Sequence, residues 1–319
     1  MTSTGRTSTD GPRIAVIGGG IAGVSAAAAL VANPSQPEVV LLEAEGQLAQ
    51  HTTGRSAAQL VENYGAEPVR QLTAASLGYL REPPPEWCQT SLLRRQPVLT
   101  VGRPEQEEVM ARELAAGQAA NPTITEISPT EAGRLFPPLR VERFSRVLIE
   151  PDSSNIDVSA LHQSFVRAFV AGGGTIETLA RVDAASPDPS GDGWVVETTK
   201  GERAADLVVN AAGAWGDVVA ERAGVGPVGL VPKRRTAFMV ASRWDDSADW
   251  PMITEVQLPW YLKPDGSQFL CSPADETPSE PTDAKPEEID VAMAIDRINE
   301  ATTLDIRSVR SSWAGLRTF

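Results

Sequence analysis

Ile14-Ala-Val-Ile17-Gly18-Gly19-Gly20-Ile21-Ala22-Gly23 decides how the chain begins to fold. Arg13 to Gly18 is a short segment dominated by β-branched residues, the composition of a strand buried in a parallel sheet. Glycines follow at once. Ile21 to Asn33 is alanine-rich and free of proline, which predicts a helix that Asn33-Pro34 ends. Val39-Val40-Leu41-Leu42 predicts a second buried strand, closing in Glu43. These parts make a βαβ unit with a right-handed crossover.

The glycine spacing is G-x-G-x-x-G, and each position has a physical task. Gly18 permits a tight turn, Gly20 lets backbone approach a diphosphate, and Gly23 allows close contact between helix and strand. The helix start offers unpaired N–H groups and a partial positive charge. Glu43 can accept hydrogen bonds from ribose hydroxyls, and an acid there disfavours a 2′-phosphate. A lone motif of this kind also fits a glycine-rich turn without a ligand. Strand, helix and acid in register make the dinucleotide reading strong. The motif alone does not separate FAD from NAD.

Farther along, residues 51 to 65 read as a polar loop leading to a helix near Val69 to Leu80. Pro97 to Val101 predicts a strand and Glu105 to Ala120 a surface helix. Ser128-Pro-Thr-Glu131 has capping-box spacing. Asp157 to Ala171 predicts a helix that Gly172-Gly-Gly174 stops. Trp194 to Thr198 and Ala205 to Ala211 read as strands, with a Pro/Gly/Asp turn at 187 to 193. Lys233 to Ser242 and Trp260 to Leu262 look like strands of a second sheet. Ser272 to Glu288 reads as an exposed loop and Ile289 to Thr303 as a helix.

Length and composition narrow the function classes. The 319 residues suffice for two cores, and 41% hydrophobic with 22% charged residues is ordinary for a soluble globular protein. A net charge of −14 repels phosphate backbones, so nucleic acid is not an expected partner. No apolar run approaches the roughly 18 residues of a membrane span. Met1 to Pro12 lacks the pattern of a secretory signal and reads as a disordered tail. Two cysteines and two histidines cannot build a disulfide scaffold or a multi-histidine zinc site, so no metal is expected. A reducing cytoplasm is the simplest compartment.

Two further segments select the cofactor. His51-Thr-Thr-Gly-Arg-Ser-Ala-Ala58 is a small, polar, basic loop soon after the second strand, and Leu207-Val-Val-Asn-Ala-Ala-Gly-Ala-Trp215 is a strand ending in small residues. The order GGGIAG, Glu43, HTTGRSAA, VVNAAGAW resembles the D-amino acid oxidase superfamily of FAD-dependent oxidoreductases, and most of all its bacterial D-arginine and D-amino acid dehydrogenase branch. The likeness runs through Lys233-Arg-Arg235, Tyr261-Leu-Lys-Pro-Asp265 and Trp313-Ala-Gly-Leu-Arg317, and so covers Arg13 to Phe319. It implies an α/β fold: a Rossmann-like FAD-binding domain over 13–90 and 151–225, and an antiparallel-sheet substrate domain over 91–150 and 226–305. Residues 306–319 would begin a return to the first domain.

The resemblance implies an FAD site. Gly18, Gly20, Ala22 and Gly23 would hold the phosphates, and Glu43 with Ala44 the ribose. Thr52, Thr53, Gly54, Arg55, Ser56, Ala57, Ala58 and Gln59 would wrap the diphosphate and flavin. Val182 would touch the adenine end through its backbone, and Ala212, Gly213 and Trp215 would lie beneath the cofactor. Short side chains such as Ala57 and Gly213 suit close packing of a tricycle on backbone. Arg55 has a second reading as a surface salt-bridge residue. No cysteine motif for covalent attachment is present, so non-covalent FAD is expected.

An amino acid substrate needs its carboxylate held, a task suited to a forked guanidinium and a tyrosine hydroxyl. Arg317 and Tyr261 match the family's carboxylate clamp, and Arg235 and Tyr64 match other polar walls. Alone, Arg317 would read as a structural ion pair and Tyr261 as a half-buried strand aromatic. The chain departs from the D-arginine branch at two positions: Val98 stands where that branch has a glutamate facing the substrate guanidinium, and Gln59 where it has a histidine. A buried cation without a counter-charge is costly, so neutral or apolar D-amino acids are expected over D-arginine. Relatives also continue beyond this point with a Gly-rich loop and helix near the flavin, whereas the sequence ends at Phe319. Weakened FAD binding, or a remnant without activity, is the matching expectation. A glycine- or sarcosine-type amine oxidase is the alternative among enzymes, and the electron acceptor is not readable.

Overall fold

The computed structural model describes residues 11–257 and 259–319. Of the expected disordered tail, residues 1–10 lie outside the described residues. Pro12 is described, and its carbonyl accepts from the Glu38 amide at 3.0 Å.

The chain opens with β1 (Arg13–Ile17), α1 (Ile21–Val31) and β2 (Glu38–Leu42). Alternation along β1 divides its side chains: Ile14 and Val16 pack with Val24, Ala27 and Ala28 of α1, while Ala15 and Ile17 face the other way. Next come β3 (Gln59–Leu60), α2 (Glu67–Arg81), β4 (Leu93–Arg95), β5 (Val98–Gly102), α3 (Glu107–Ala120), β6 (Thr125–Ile127) and α4 (Pro129–Leu135). The capping box at α4 forms as its spacing predicts. Ser128 Oγ accepts from the Glu131 amide at 3.2 Å, and the Glu131 carboxylate accepts from the Ser128 amide at 2.9 Å. Then follow β7 (Arg146–Glu150), β8 (Ser154–Ile156), α5 (Val158–Ala171) and β9 (Thr175–Glu177). The glycine triplet stops α5, with Gly173 at φ +88°, where a side chain would be strained.

Strands β10 (Val182–Pro187), β11 (Trp194–Thr198), β12 (Gly201–Ala205) and β13 (Leu207–Asn210) precede α6 (Gly216–Arg222). Ala205 to Ala211 is not one strand. Asp206 breaks it, accepting from the Arg13 amide at 2.7 Å and the Arg13 guanidinium at 2.9 Å. Residues before the break pair antiparallel with β11, and those after it pair parallel with β1. The last third holds β14 (Pro232–Ala241), β15 (Met252–Glu255), β16 (Tyr261–Asp265), β17 (Gln268–Ser272), β18 (Thr277–Pro278), α7 (Glu288–Ala301) and β19 (Ser311–Thr318). Segment 272–288 is not wholly an exposed loop, since β18 pairs with β14 and Ser272, Ala274 and Ala284 are buried.

Two layers result. The first is a parallel four-stranded sheet in the order β13-β1-β2-β9. α1 and α5 cover one face, and the antiparallel sheet β10-β11-β12 covers the other. The second is a nine-stranded sheet, β18-β14-β17-β16-β15-β5-β7-β6, with β19 on the free side of β14. It is antiparallel apart from the β5–β15 pair. One face buries Phe238, Phe269, Leu262 and Ile253 beneath Phe136 of the residue after α4 and Ala294 and Ile298 of α7. Truncating any of these aromatics to alanine costs about 3–5 kcal/mol. The opposite face carries Val98, Ala237, Met239, Met252, Tyr261 and Leu270, and turns toward Ala57 and Val61. Residues 306–319 serve both layers, because β19 pairs with β14 while its carbonyls accept from Thr52 and Arg55.

Candidate active site

The glycine loop closes tightly on its surroundings. Gly18 lies at φ +109°, and a Cβ there would fall 2.4 Å from the Ala211 carbonyl oxygen. A Cβ on Gly23 would fall 1.8 Å from the Gly18 carbonyl oxygen, so only glycine lets α1 approach β1. At the start of α1 the Ile21 amide donates to Thr53 Oγ1 at 3.0 Å. Among the described residues, no protein group accepts from the amides of Ala22 and Gly23. Glu43 lies beside the loop. Its carboxylate accepts from the Gly19 amide at 2.7 Å and the Glu45 amide at 2.8 Å, and lone pairs remain on both oxygens. Ala44 is exposed next to it.

Loop 51–59 runs between the layers. Thr52, Gly54 and Ser56 are exposed, and Gly213, at φ +55° with nothing within 4 Å of a Cβ, is exposed as well. The result is a surface of short side chains leading away from the open amides. Donors at the helix start, positions where no side chain can stand, and this row of small residues together fit an adenine dinucleotide. Arg55 is engaged elsewhere. Its guanidinium donates to the carbonyls of Gln50 at 3.2 Å and Ala314 at 2.9 Å and to Asp283 at 2.6 Å. The bonds from Lys285 and Arg55 pull the Asp283 carboxyl down to about 2. Ser56 accepts from the Ala58 amide, and Ala58 holds φ +56°. The Trp215 ring packs 4.7 Å from the His51 imidazole. Val182 is buried in β10, and its carbonyl accepts from Arg222 at 2.6 Å.

The inner face of the large sheet gathers the substrate-side candidates. Register places Lys233 opposite Arg317 and Arg235 opposite Gly315, so Arg317 and Arg235 share a face with Ala237 and Trp313. Arg317 donates to the Tyr64 hydroxyl at 2.6 Å and lies over the Tyr64 and Phe319 rings. Among the described residues, no carboxylate is paired with Arg317. Arg235 differs, since it donates to Glu276 and to the Asp275 carbonyl, each at 2.9 Å. Tyr261 is 7% exposed. Burial pushes its phenol up, and the Ser272 hydrogen bond and the charges of Arg235 and Arg317 pull the other way. Val98 lies on the same face, and its cross-strand partner is Glu150. Burial raises the Glu150 carboxyl, against a hydrogen bond from the Asn63 amide.

Two residues of this region were not singled out from sequence. Lys263, two places after Tyr261, is 3% exposed and donates to the Ala57 carbonyl at 2.6 Å and Asn155 Oδ1 at 3.2 Å. Burial lowers its ammonium to about 8. Strand alternation from Tyr261 was the available signal. Gln59 donates to the Gln96 carbonyl at 2.9 Å, and the buried Oε1 atoms of Gln59 and Gln96 have no partner. Nothing in the sequence pointed to Gln96. Cys88 and Cys271 are free and buried. Among the described residues, no group of three or more acids, histidines or cysteines is placed to hold a metal, and no helix is long and apolar enough to cross a membrane.

Residues 13–319 match the family DAO, FAD dependent oxidoreductase. The chain belongs to this family. Among curated proteins it is 26% identical over 150 residues to mitochondrial dimethylglycine dehydrogenase of Mus musculus, a match covering 46% of this chain and 17% of that protein. It is 27% identical over 254 residues to mitochondrial L-2-hydroxyglutarate dehydrogenase of Bos taurus, covering 74% of this chain and 53% of that one. The matches thus span about half or less of these curated relatives. Among solved structures, glycine oxidase from Geobacillus kaustophilus superposes with TM-score 0.81 at 19% identity, covering 96% of this chain and 83% of that one. L-Proline dehydrogenase from P. horikoshii gives TM-score 0.81 at 18% identity, covering 96% and 81%. At such identities these two likenesses establish the fold. The family to which the chain belongs is one of FAD-dependent oxidoreductases.

Proposed function

We propose that the protein oxidises the CH–NH2 group of D-amino acids, most readily those with neutral or apolar side chains, using non-covalent FAD. The observation that carries this reading is Arg317, a guanidinium without a carboxylate partner among the described residues, at the rim of an apolar sheet face centred on Tyr261. A free amino acid supplies the missing carboxylate, and a forked guanidinium holds it in two bonds. Tyr64 and Tyr261 add hydroxyls, while Arg235, already paired with Glu276, contributes field more than a free bond.

When bound, FAD supplies the capacity to accept a hydride. The residues of the chain orient the substrate. Arg317 fixes the carboxylate end, and Val98, Ala237, Met239, Met252 and Leu270 surround its side chain with apolar surface. Loss of one N–H proton and of hydride from Cα leaves an imine, which water hydrolyses to a 2-oxo acid and ammonia. Holding Cα in reach is the main contribution to rate. Glu150 stands across the strand pair from Val98. Burial raises its carboxyl, and one of its oxygens already accepts from the Asn63 amide.

A glycine- or sarcosine-type amine oxidase is the second reading. The resemblance to glycine oxidase and dimethylglycine dehydrogenase favours it. The two free cysteines support a reducing, cytoplasmic setting. One screen decides between the readings. Turnover with an artificial acceptor, and peroxide release in air, are measured for D- and L-amino acids, glycine and sarcosine. Neutral D-amino acids should give the highest kcat/KM; a best rate with D-arginine, or with sarcosine, overturns the first reading.

A further inference from the structure

His162 is a buried, titratable side chain with no task in the chemistry above. It lies on α5, is 2% exposed, and its Nε2 sits 2.9 Å from the Gly19 carbonyl oxygen, 143 residues away in sequence. A carbonyl only accepts, so Nε2 is the donor. The Ala49 amide donates to the same oxygen at 3.2 Å. On the other side of Gly19, its amide is fixed by Glu43 at 2.7 Å.

The geometry has a direct consequence for the diphosphate loop. A trans peptide is planar, and its C=O and N–H point in opposite directions. The Gly19 carbonyl and the Gly20 N–H belong to one such peptide, and no cis bond occurs among the described residues. A carbonyl held toward His162 and Ala49 therefore turns the Gly20 N–H the other way. That amide has no protein acceptor among the described residues and belongs to the position where backbone must meet the ligand. Glycine on both sides leaves this peptide free to rotate unless something holds it.

We propose that His162 is a positioning residue for the diphosphate of FAD, acting through the Gly19–Gly20 peptide; this rests on the FAD reading of the loop. A residue far from the motif thus pre-sets one of its donors, so that the cost of ordering the loop is met before the ligand arrives.

The test titrates FAD-free protein with FAD, ADP and adenosine, for wild type, His162→Gln and His162→Phe, alongside the melting temperature of each ligand-free protein. The glutamine amide reaches as far as the imidazole Nε2; phenylalanine fills the space without a donor. Loss of one pre-set donor should raise Kd for FAD and ADP about tenfold in the Phe variant. Adenosine, with no phosphate, should be unaffected, and Gln should bind FAD within about twofold of wild type. Unchanged FAD and ADP affinity in the Phe variant overturns the proposal. So does an equal loss for adenosine, which would mark a packing role, or no recovery with Gln. Should the Phe variant not fold, His162→Asn, whose amide is too short to reach, takes its place with the same expectations. Wild-type protein that binds neither FAD nor ADP overturns the cofactor reading first, and this inference with it.

Discussion

Arg317 and Lys263 are both cations on the inner face of the large sheet, and their surroundings give them opposite prospects. Arg317 has a hydroxyl and two rings around it and, among the described residues, no anion. Replacing it with lysine keeps the charge and removes the fork. The expected result is a rise in KM for D-amino acids of about tenfold or more, with the flavin absorbance of the bound protein unchanged. An unaltered KM would place Arg317 outside the substrate chamber. Lys263 is enclosed, and burial lowers it to about 8 from 10.5. Between those values the unfolded chain binds a proton that the folded chain does not, so stability rises with pH from about 8 to about 10.5. Below 8 both states are protonated and the burial penalty is constant. Lys263→Met lacks this gain. Urea unfolding at pH 7 and pH 10 should show wild type becoming more stable relative to the variant as pH rises, and parallel behaviour would contradict the assignment.

The β1–α1–β2 unit depends on Gly23 more than on any apolar residue within it. A Cβ placed 1.8 Å from a backbone oxygen cannot be relieved by rotating a side chain, so α1 must move away from β1. Gly23→Ala should lower the melting temperature and weaken FAD binding together, because the helix carries the open amides. Normal FAD affinity in that variant would mean the helix is not the donor. This unit was readable from sequence because every cause lies within about 30 residues: buried strands, a proline-free helix, glycines and a closing acid. The capping box at Ser128 was readable for the same reason. What escaped depends on distant partners. Asp206 ends β12 because Arg13, 193 residues away in sequence but on the neighbouring strand, claims its carboxylate. His162 meets Gly19 only because α5 packs against α1. The parallel β5–β15 pair joins segments about 150 residues apart with no local signature. Among the site candidates, family likeness grouped Arg317 with Tyr261 and Tyr64 with Arg235, and neither it nor spacing pointed to the bond from Arg317 to Tyr64. The engagement of Arg55 with Asp283 and the carbonyls of Gln50, Ala284 and Ala314 was half-visible, as the salt-bridge reading of that residue.

The two layers meet along loop 51–58, and the bonds there decide whether they unfold as one body. Thr52 Oγ1 donates to the Leu316 carbonyl at 2.6 Å, the Trp313 indole donates to the Arg55 carbonyl at 3.2 Å, and Lys263 donates to the Ala57 carbonyl. Arg55 is the most connected member. Its pair with Asp283 contributes little, since that carboxylate is 49% exposed and water screens it. The bonds to the carbonyls of Gln50 and Ala314 are shielded better, and charged donors to carbonyls contribute about 1.5–3 kcal/mol each. Acid should therefore do less harm than mutation. The Asp283 contribution is present above about 3.8 and fades only as pH falls through about 2. Arg55→Met removes the carbonyl bonds and leaves Ala314 without its side-chain donor at the seam between layers. Scanning calorimetry should then resolve two transitions where wild type shows one. FAD should raise only the transition of the layer holding Gly18 to Gly23, since a ligand stabilises the body it binds. A single transition in the variant, raised as a whole by FAD, would show that the apolar contacts of Ala57 and Val61 with the large sheet couple the layers without Arg55.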